Sequence, residues 1–405
     1  MTQNNSKNPI NDNEISGLSI YTFVTNAHYK KRKDLLLIVF DDLVNYAGLY
    51  TKSSCPSIPV QWCKKNLSQN TIKAILVNSG NANAFTGIKG HNDLIKILAP
   101  LSSRLGCQLN EIAVASTGVI GEFLNTDPII EALSDKKVKK LSNWDDAAYA
   151  IMTTDTYPKL SFTKSSIDGH EIKIVGIAKG SGMIEPNMGT MLAFIFTDAN
   201  VTKQILSILL RDITNNSFNS ITVDGETSTS DTVLLFSTNK ANHKIVSDIE
   251  TSSINYFRDD LEGLAIKLAQ QVVRDGEGAT KLIEIHVTGA NTKNAAMRIS
   301  KSIANSPLVK TAFYGEDPNW GRVIAAIGKS YEKIDLEKLE LFFGDHQITK
   351  NGSNIENYDE SLVKKYMKNE RLIMTINLGI GCHEHKVWTC DLSHKYIDIN
   401  TDYRS

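Results

Sequence analysis

Six short apolar runs constrain any fold open to this chain. They are LLLIVF (Leu35–Phe40), AILVNSG (Ala74–Gly80), IAVASTG (Ile112–Gly118), IKIVGIAKG (Ile172–Gly180), MLAFIFTD (Met191–Asp198) and TVLLF (Thr232–Phe236). Each is rich in β-branched or aromatic residues and is bounded by Gly, Asn, Asp or Ser. Each therefore reads as a buried strand ended by a turn. Helical spacing of apolar residues fills the gaps, in HNDLIKILAPLSSRLG (His91–Gly106), DPIIEALSDKKVKKL (Asp127–Leu141), VTKQILSILLRDITNNSF (Val201–Phe218) and DDLEGLAIKLAQQVVRDGEG (Asp259–Gly278). Pro128 suits a first helical turn.

A new block begins near Lys281. IEIHVTGA (Ile283–Ala290) reads as a strand, and AAMRISKSIANSPLVKTAFYG (Ala295–Gly315) as a helix with an extended exit. RVIAAIGK (Arg322–Lys329) is a further core segment. KLELFFGDHQITKNG (Lys338–Gly352) reads as one hairpin ending in the Asn351-Gly352 turn pair. LIMTINLG (Leu372–Gly379) and YIDIN (Tyr396–Asn400) read as strands. The expected fold class is α/β in layers, α+β in its wider sense. The expected domains are residues 1–283 and 284–405.

The charges exclude some functions. Lys and Arg number 44 against 45 Asp and Glu, so no global basic field exists to hold nucleic acid or an anionic membrane. No run approaches the roughly 20 apolar residues of a membrane span. The polar start, MTQNNSKNPINDNEIS, lacks an apolar signal core. Five cysteines in 405 residues make no disulfide framework, and a cytoplasmic, reducing location is expected.

The candidate chemistry centres on Gly189-Thr190. This pair joins a polar stretch, KGSGMIEPNM (Lys179–Met188), to the apolar run at Met191. A threonine there is ordinarily a strand-start residue. It becomes a nucleophile if the chain breaks before it, because the freed α-amine, with a pKa of about 7.7–8.0, then serves its own hydroxyl as base. Gly189 lacks a Cβ and tolerates strain at the scissile bond. Thr117-Gly118, in VASTGVIG, brings a hydroxyl and backbone amides to a strand end, where an oxyanion would need donors.

Other segments keep two readings. NSGNANAFTG (Asn78–Gly87) is a turn-rich loop or a pocket lining. RDGEGATK (Arg274–Lys281) is a turn, or it exposes Glu277 to bind an amine. EDPNWGR (Glu316–Arg322) is a solvated loop or closes a site. TVDGETSTSDT (Thr222–Thr232) lacks the ligand spacing of a calcium loop. GCHEHKVWTC (Gly381–Cys390) offers Cys382, His383, His385 and Cys390 without the spacing of a zinc module, so no metal is expected. KGSG is no Walker A motif, and no nucleophile elbow occurs.

Taken together and in order, KGSGMIEPNMGTMLAFIFTDA, STGVIG, TVDGETSTSDT, RDGEGATK, TAFYGEDPNWGRVIAAIG and YIDINTDYRS resemble the bifunctional arginine-biosynthesis family of glutamate N-acetyltransferases, also called ornithine acetyltransferases. The likeness runs from about residue 34 to Ser405. It implies a two-domain sandwich like that of this family and the β-peptidyl aminopeptidases. It implies self-cleavage between Gly189 and Thr190 into Met1–Gly189 and Thr190–Ser405, which stay together as an α2β2 assembly. It implies transfer of an acetyl group from N-acetylornithine to glutamate through acetyl-Thr190, without a metal or organic cofactor. Members that also take acetyl-CoA make N-acetylglutamate afresh, so acetyl-CoA stands as an optional second donor.

By the same resemblance Thr117 and Gly118 match the oxyanion-hole pair. Thr154, Lys179, Thr190, Glu277, Asn400 and Ser405 match substrate-binding positions. The chain departs from the family pattern at Gly189 (often Ala), at Gly17–Asp34, at Thr401 (commonly Ala) and at Ser405 (commonly Thr). Two competing readings are an N-terminal-threonine amidase or aminopeptidase, which would pass the acyl group to water, and a catalytically silent binding protein with an uncut chain.

Overall fold

The uninterrupted apolar runs become strands covered on both faces. The computed structural model describes residues 14–67, 71–134, 141–185 and 191–402. Its first strands are β1 (Leu18–Phe23), β2 (Leu35–Tyr50), β3 (Ile72–Asn81), β4 (Ile112–Val119), β5 (Lys159–Ile167), β6 (His170–Lys179), β7 (Leu192–Thr197) and β8 (Thr232–Ser237). They form one sheet in the order β4-β3-β2-β8-β7-β6-β5, with β1 also paired to β2. β2 joins two half-sheets. Leu35–Val39 pairs with β3, and Asn45–Tyr50 pairs with β8. The register shifts between Val39 and Val44, where Asp41, Asp42 and Leu43 face solvent.

Alternate side chains of β7 enter two different cores. Leu192, Phe194 and Phe196 join Ile38, Phe40 and Val77. Ala193 and Ile195 join Leu209, Leu264 and Leu268. With both faces buried, LAFIFT shows no polar alternation, as expected of a strand inside a layered fold. The Phe196 and Phe236 rings stack at 5.2 Å in the first core.

Helices α1 (Ile58–Asn66), α2 (Gly87–Leu105), α3 (Thr126–Ser134) and α4 (Trp144–Ala150) pack against the half-sheet side that carries β1–β4, with α4 also touching β5 and β6. α5 (Lys203–Asn216) and α6 (Asn255–Arg274) cover the opposite face. α6 turns Leu261, Leu264, Leu268 and Val272 inward at three- and four-residue spacing.

The second sheet contains β9 (Leu282–Ala290), β10 (Glu340–Phe343), β11 (His346–Lys350), β12 (Ser353–Asn354), β13 (Arg371–Asn377) and β14 (His383–Cys390) in the order β12-β11-β10-β13-β9-β14. Helices α7 (Lys293–Ala304), α8 (Pro307–Tyr314), α9 (Trp320–Gly328) and α10 (Glu360–Met367) accompany it. Ile299, Ile303 and Phe313 pack on Ile283, Ile285 and Val287. α11 (His394–Thr401) then leads back to the first sheet.

Several expectations from the sequence are corrected. YIDIN is helical, lying within α11, because the i, i+4 pair Tyr396 and Asn400 each bonds to the first sheet's loops, at Asp224 and Glu277. The extended exit after Ala304 is α8, started by Pro307 in the first turn behind Ser306. The single hairpin is two. β10 turns into β11 at Gly344-Asp345, and Asn351-Gly352, both at positive φ, makes the next turn into β12. β5 carries no apolar run, because Thr163–Ser166 is polar on an edge strand.

Candidate active site

A cleft of about 130 Å³ lies where separated segments of the first sheet end together. β4 contributes Thr117 and Gly118, and the loop after α4 contributes Thr153 and Thr154. The end of β6 brings Lys179, Gly182 and Met183. Ser228–Ser230 precede β8, Glu277 follows α6, and Asn400 comes from α11. Lys179 at the end of β6 is the register partner of Leu192 at the start of β7, Leu192 pairs with Thr232 at the start of β8, and Gly118 on β4 pairs with Gly80 on β3.

Gly118 has no substitute in this backbone. Its φ is +128°, and a Cβ would stand 2.1 Å from the carbonyl carbon of Gly80 on β3. The residue beside it, Thr117, accepts a 3.1 Å hydrogen bond at Oγ1 from Lys179 Nζ. Lys179 is buried, and burial pushes its pKa down; the Asp155 carboxylate opposes the shift.

A buried ion triad pins the cleft floor. Lys159 Nζ lies 2.6 Å from both Asp155 Oδ1 and Asp275 Oδ2, and the Lys159 side chain is wholly buried. Asp155 Oδ1 also accepts from Gly180 N at 2.7 Å, and Oδ2 from Thr153 N at 2.9 Å. Burial resists ionisation of Asp155, but the charges of Lys179 and Lys159 and the hydrogen bonds outweigh it and lower its pKa to about 2. Asp275 takes the Thr156 amide at 2.9 Å. One lysine thus fastens the Thr153–Thr156 loop, the exit of β6 and the turn after α6.

Glu277 is aimed by its neighbours. Its amide donates to Ser181 O at 2.9 Å, and its Oε2 accepts from Asn400 Nδ2 at 2.8 Å. A Cβ on Gly182 would meet the Glu277 carboxyl at 2.4 Å, so this glycine makes room for the carboxylate. Asp224 receives the Met183 and Ile184 amides at 2.6 and 2.8 Å and the Tyr396 hydroxyl at 3.2 Å, fixing α11 over the cleft.

Thr117, Gly118, Thr154, Lys179, Glu277 and Asn400, singled out in the sequence, therefore line one cleft. Gly189, Thr190 and Ser405 lie outside the described residues. Met191, the first residue described after them, is buried, and its carbonyl accepts from Thr232 N at 3.0 Å. The sequence reading missed Lys159, Asp155 and Asp275, since an ion triad leaves no spacing signature. It also missed Ser228–Ser230; the hydroxyl-rich STS of the segment tested only as a calcium loop was the available signal.

The remaining segments stand apart from the cleft chemistry. Asn319 caps α9 by accepting from Arg322 N. His385 is buried between Ser220 Oγ at 3.3 Å and Ser300 Oγ at 3.1 Å, and burial lowers its pKa to about 4. Cys382 and His383 are exposed, whereas Cys390 is buried. Among the described residues no three His, Cys, Asp or Glu side chains converge as metal ligands, and no helix is long and apolar enough to cross a membrane. All five cysteines are free thiols.

This arrangement sits inside a sequence whose residues 21–405 match the pattern of the ArgJ family. The chain belongs to the ArgJ family. An ArgJ relative from Bartonella henselae, named arginine biosynthesis bifunctional protein, is 46% identical over 392 residues, 96% of either chain. The protein of the same name from Agrobacterium fabrum is 46% identical over 395 residues, again 96% of each. The crystal structure of the Bacillus halodurans arginine biosynthesis bifunctional protein is 40% identical, with a TM-score of 0.50, over 52% of this chain and 99% of the solved one. The layered α/β fold expected from the apolar runs is thus that of an ArgJ protein.

Proposed function

We propose that this protein is a self-processing acetyltransferase of arginine biosynthesis, moving the acetyl group of N-acetylornithine to glutamate. The observation that carries this reading is the cleft itself. It combines oxyanion donors (Thr117 and the Gly118 amide), a buried cation (Lys179) and an aimed carboxylate (Glu277) beside the start of β7. The names of the relatives agree with it. So does the solved Bacillus halodurans chain, which corresponds to about half of this one, as a precursor divided near its middle would give.

In this reading the chain is cut between Gly189 and Thr190, and the two pieces, residues 1–189 and 190–405, assemble as α2β2 in the cytosol. Thr190 Oγ attacks the acetyl carbonyl while the Thr190 α-amine takes the hydroxyl proton. The tetrahedral oxyanion forms against Thr117 and the Gly118 amide; one such donor is commonly worth about 10²–10³ in rate. The C–N bond breaks, the proton passes to the departing ornithine amine, and acetyl-Thr190 remains. Glutamate enters the same cleft and reverses these steps, giving ping-pong kinetics. Lys179 pairs with the α-carboxylate shared by both substrates, and Glu277 holds an ammonium. Thr154, Asn400 and Ser405 complete the substrate contacts. No metal or organic cofactor takes part, and acetyl-CoA is a second donor. The residues 1–283 and 284–405 act as two domains, the second delivering Asn400 to the first.

Intact-mass analysis of purified protein tests this directly, followed by assays with N-acetylornithine and acetyl-CoA supplied separately. Two pieces with threonine first in the second, and acetyl transfer to glutamate faster than hydrolysis, are expected. Thr190→Ala should give one uncut, inactive chain. An active preparation consisting solely of unbroken chain, or hydrolysis exceeding transfer, would reject the proposal.

A further inference from the structure

Arg32 lies in the loop between β1 and β2, well before the first residue of the cleft, Ala82. Its half-buried guanidinium spends its donors on main-chain carbonyls. Nη2 donates to Met152 O at 2.6 Å and Nη1 to Thr153 O at 3.4 Å. The same group lies 4.4 Å from the centroid of the Tyr29 ring and 5.4 Å from that of Tyr149, near the end of α4. Lys33, beside it, pairs with Asp146 on α4.

The local chemistry explains why an arginine stands here. Met152 and Thr153 lie just beyond α4, where a helix turns its negative pole outward and a cation is favoured. A planar guanidinium reaches two carbonyls at once while its face rests on an aromatic ring; an ammonium does neither as well.

The segment so held is a wall of the cleft. Thr153 and Thr154 both line it, and Arg32 does not. Thr153 is fixed at both of its main-chain polar atoms, its amide on Asp155 Oδ2 at 2.9 Å and its carbonyl on Arg32. Thr154 is the next residue, so the direction in which it enters the cleft depends on that grip.

We propose that Arg32 is a positioning residue for substrate binding, holding the main chain of Met152 and Thr153 so that Thr154 meets the substrate. This rests on the reading of Thr154 as a substrate contact. Arg32 touches no substrate, and no bond or proton changes hands at it. Thr154 holds the substrate in ground state and transition state alike, so loosening it acts on KM and leaves kcat.

The competing role is a plain anchor for the β1–β2 loop, and a double-mutant cycle separates the two. Arg32→Met keeps an unbranched side chain and removes the guanidinium. Its KM for N-acetylornithine should rise about three- to tenfold, the equivalent of one hydrogen bond between neutral groups, with kcat within about twofold of wild type. Thr154→Val, which keeps the branched shape, should raise KM by a similar factor. Added to Thr154→Val, Arg32→Met should raise KM by no more than about twofold further, because it acts through the contact already lost. Factors that multiply in full overturn the proposal. So does an Arg32→Met protein that melts lower than wild type but keeps its KM, or one whose loss is confined to kcat. Should Arg32→Met fail to fold, Arg32→Gln, which retains one amide donor, carries the same cycle with the same criteria. If Thr154→Val raises KM and the Arg32 variant does not, only this inference fails. If Thr154→Val has the KM of wild type, the reading of Thr154 fails and takes this inference with it.

Discussion

Replacing Lys159 by Met removes the one cation shared by Asp155 and Asp275. Methionine is close in length to the lysine stem and fills the same space, so the change isolates the charge. Both carboxylates are almost fully buried and stay in place. Breaking a buried pair from one side costs about 3–5 kcal/mol, since an uncompensated charge remains. For a chain of 405 residues unfolding as one unit, unfolding entropy scales to roughly 0.85 kcal/mol per degree, so the melting temperature should drop by about 4–6 °C. Activity should fall more than stability alone implies, because the triad ties the Thr153–Thr156 loop, which supplies Thr153 and Thr154 to the cleft, to Gly180 at the exit of β6. Lys159→Arg, which restores the charge, should regain most of both losses. Thermal unfolding by circular dichroism and steady-state acetyl transfer at neutral pH would measure the two effects. A Met variant that melts with wild type and retains its kcat would refute the claim that this lysine holds the cleft together.

Two more outcomes follow from the same geometry. The Asp155 pKa is near 2 in the fold against 3.8 for a free side chain, so its ionised form contributes about 2 kcal/mol that is complete above pH 4 and disappears as pH falls through 2; urea midpoints measured between pH 6 and 2 should decline over that interval, and a flat profile would contradict the assignment. Gly118→Ala forces a methyl group into the Gly80 backbone at 2.1 Å; the oxyanion role proposed for Gly118 then predicts that transfer falls at least about 10²-fold, and wild-type kcat in that variant would remove Gly118 from the site.

Much of the fold was legible because burial on two faces writes itself as uninterrupted apolar runs. β7 and β8 are examples: every residue in both is buried. Where burial is one-sided or absent the signal weakens, and the polar edge strand β5 was lost for that reason. α11 was misread because YIDIN carries strand-forming residues, while the forces that make it helical are hydrogen bonds to Asp224 and Glu277, more than 120 positions away. The same limit governs the site. Residues at strand ends and glycine turns, Thr117-Gly118 and Glu277, were marked by local pattern. Lys159, Asp155 and Asp275 owe their importance to meeting in space.

α11 makes the second sheet answerable for how the Glu277 carboxylate is aimed. Its one polar contact with Glu277 is carried on a helix anchored through Ser393 to Gly278 and through Tyr396 to Asp224. Damage deep in the packing of β9 or β14 would tilt that helix without disturbing the strand ends that carry Thr117 and Lys179. On the roles proposed above, such lesions would surface as poor affinity in a protein that still processes itself normally.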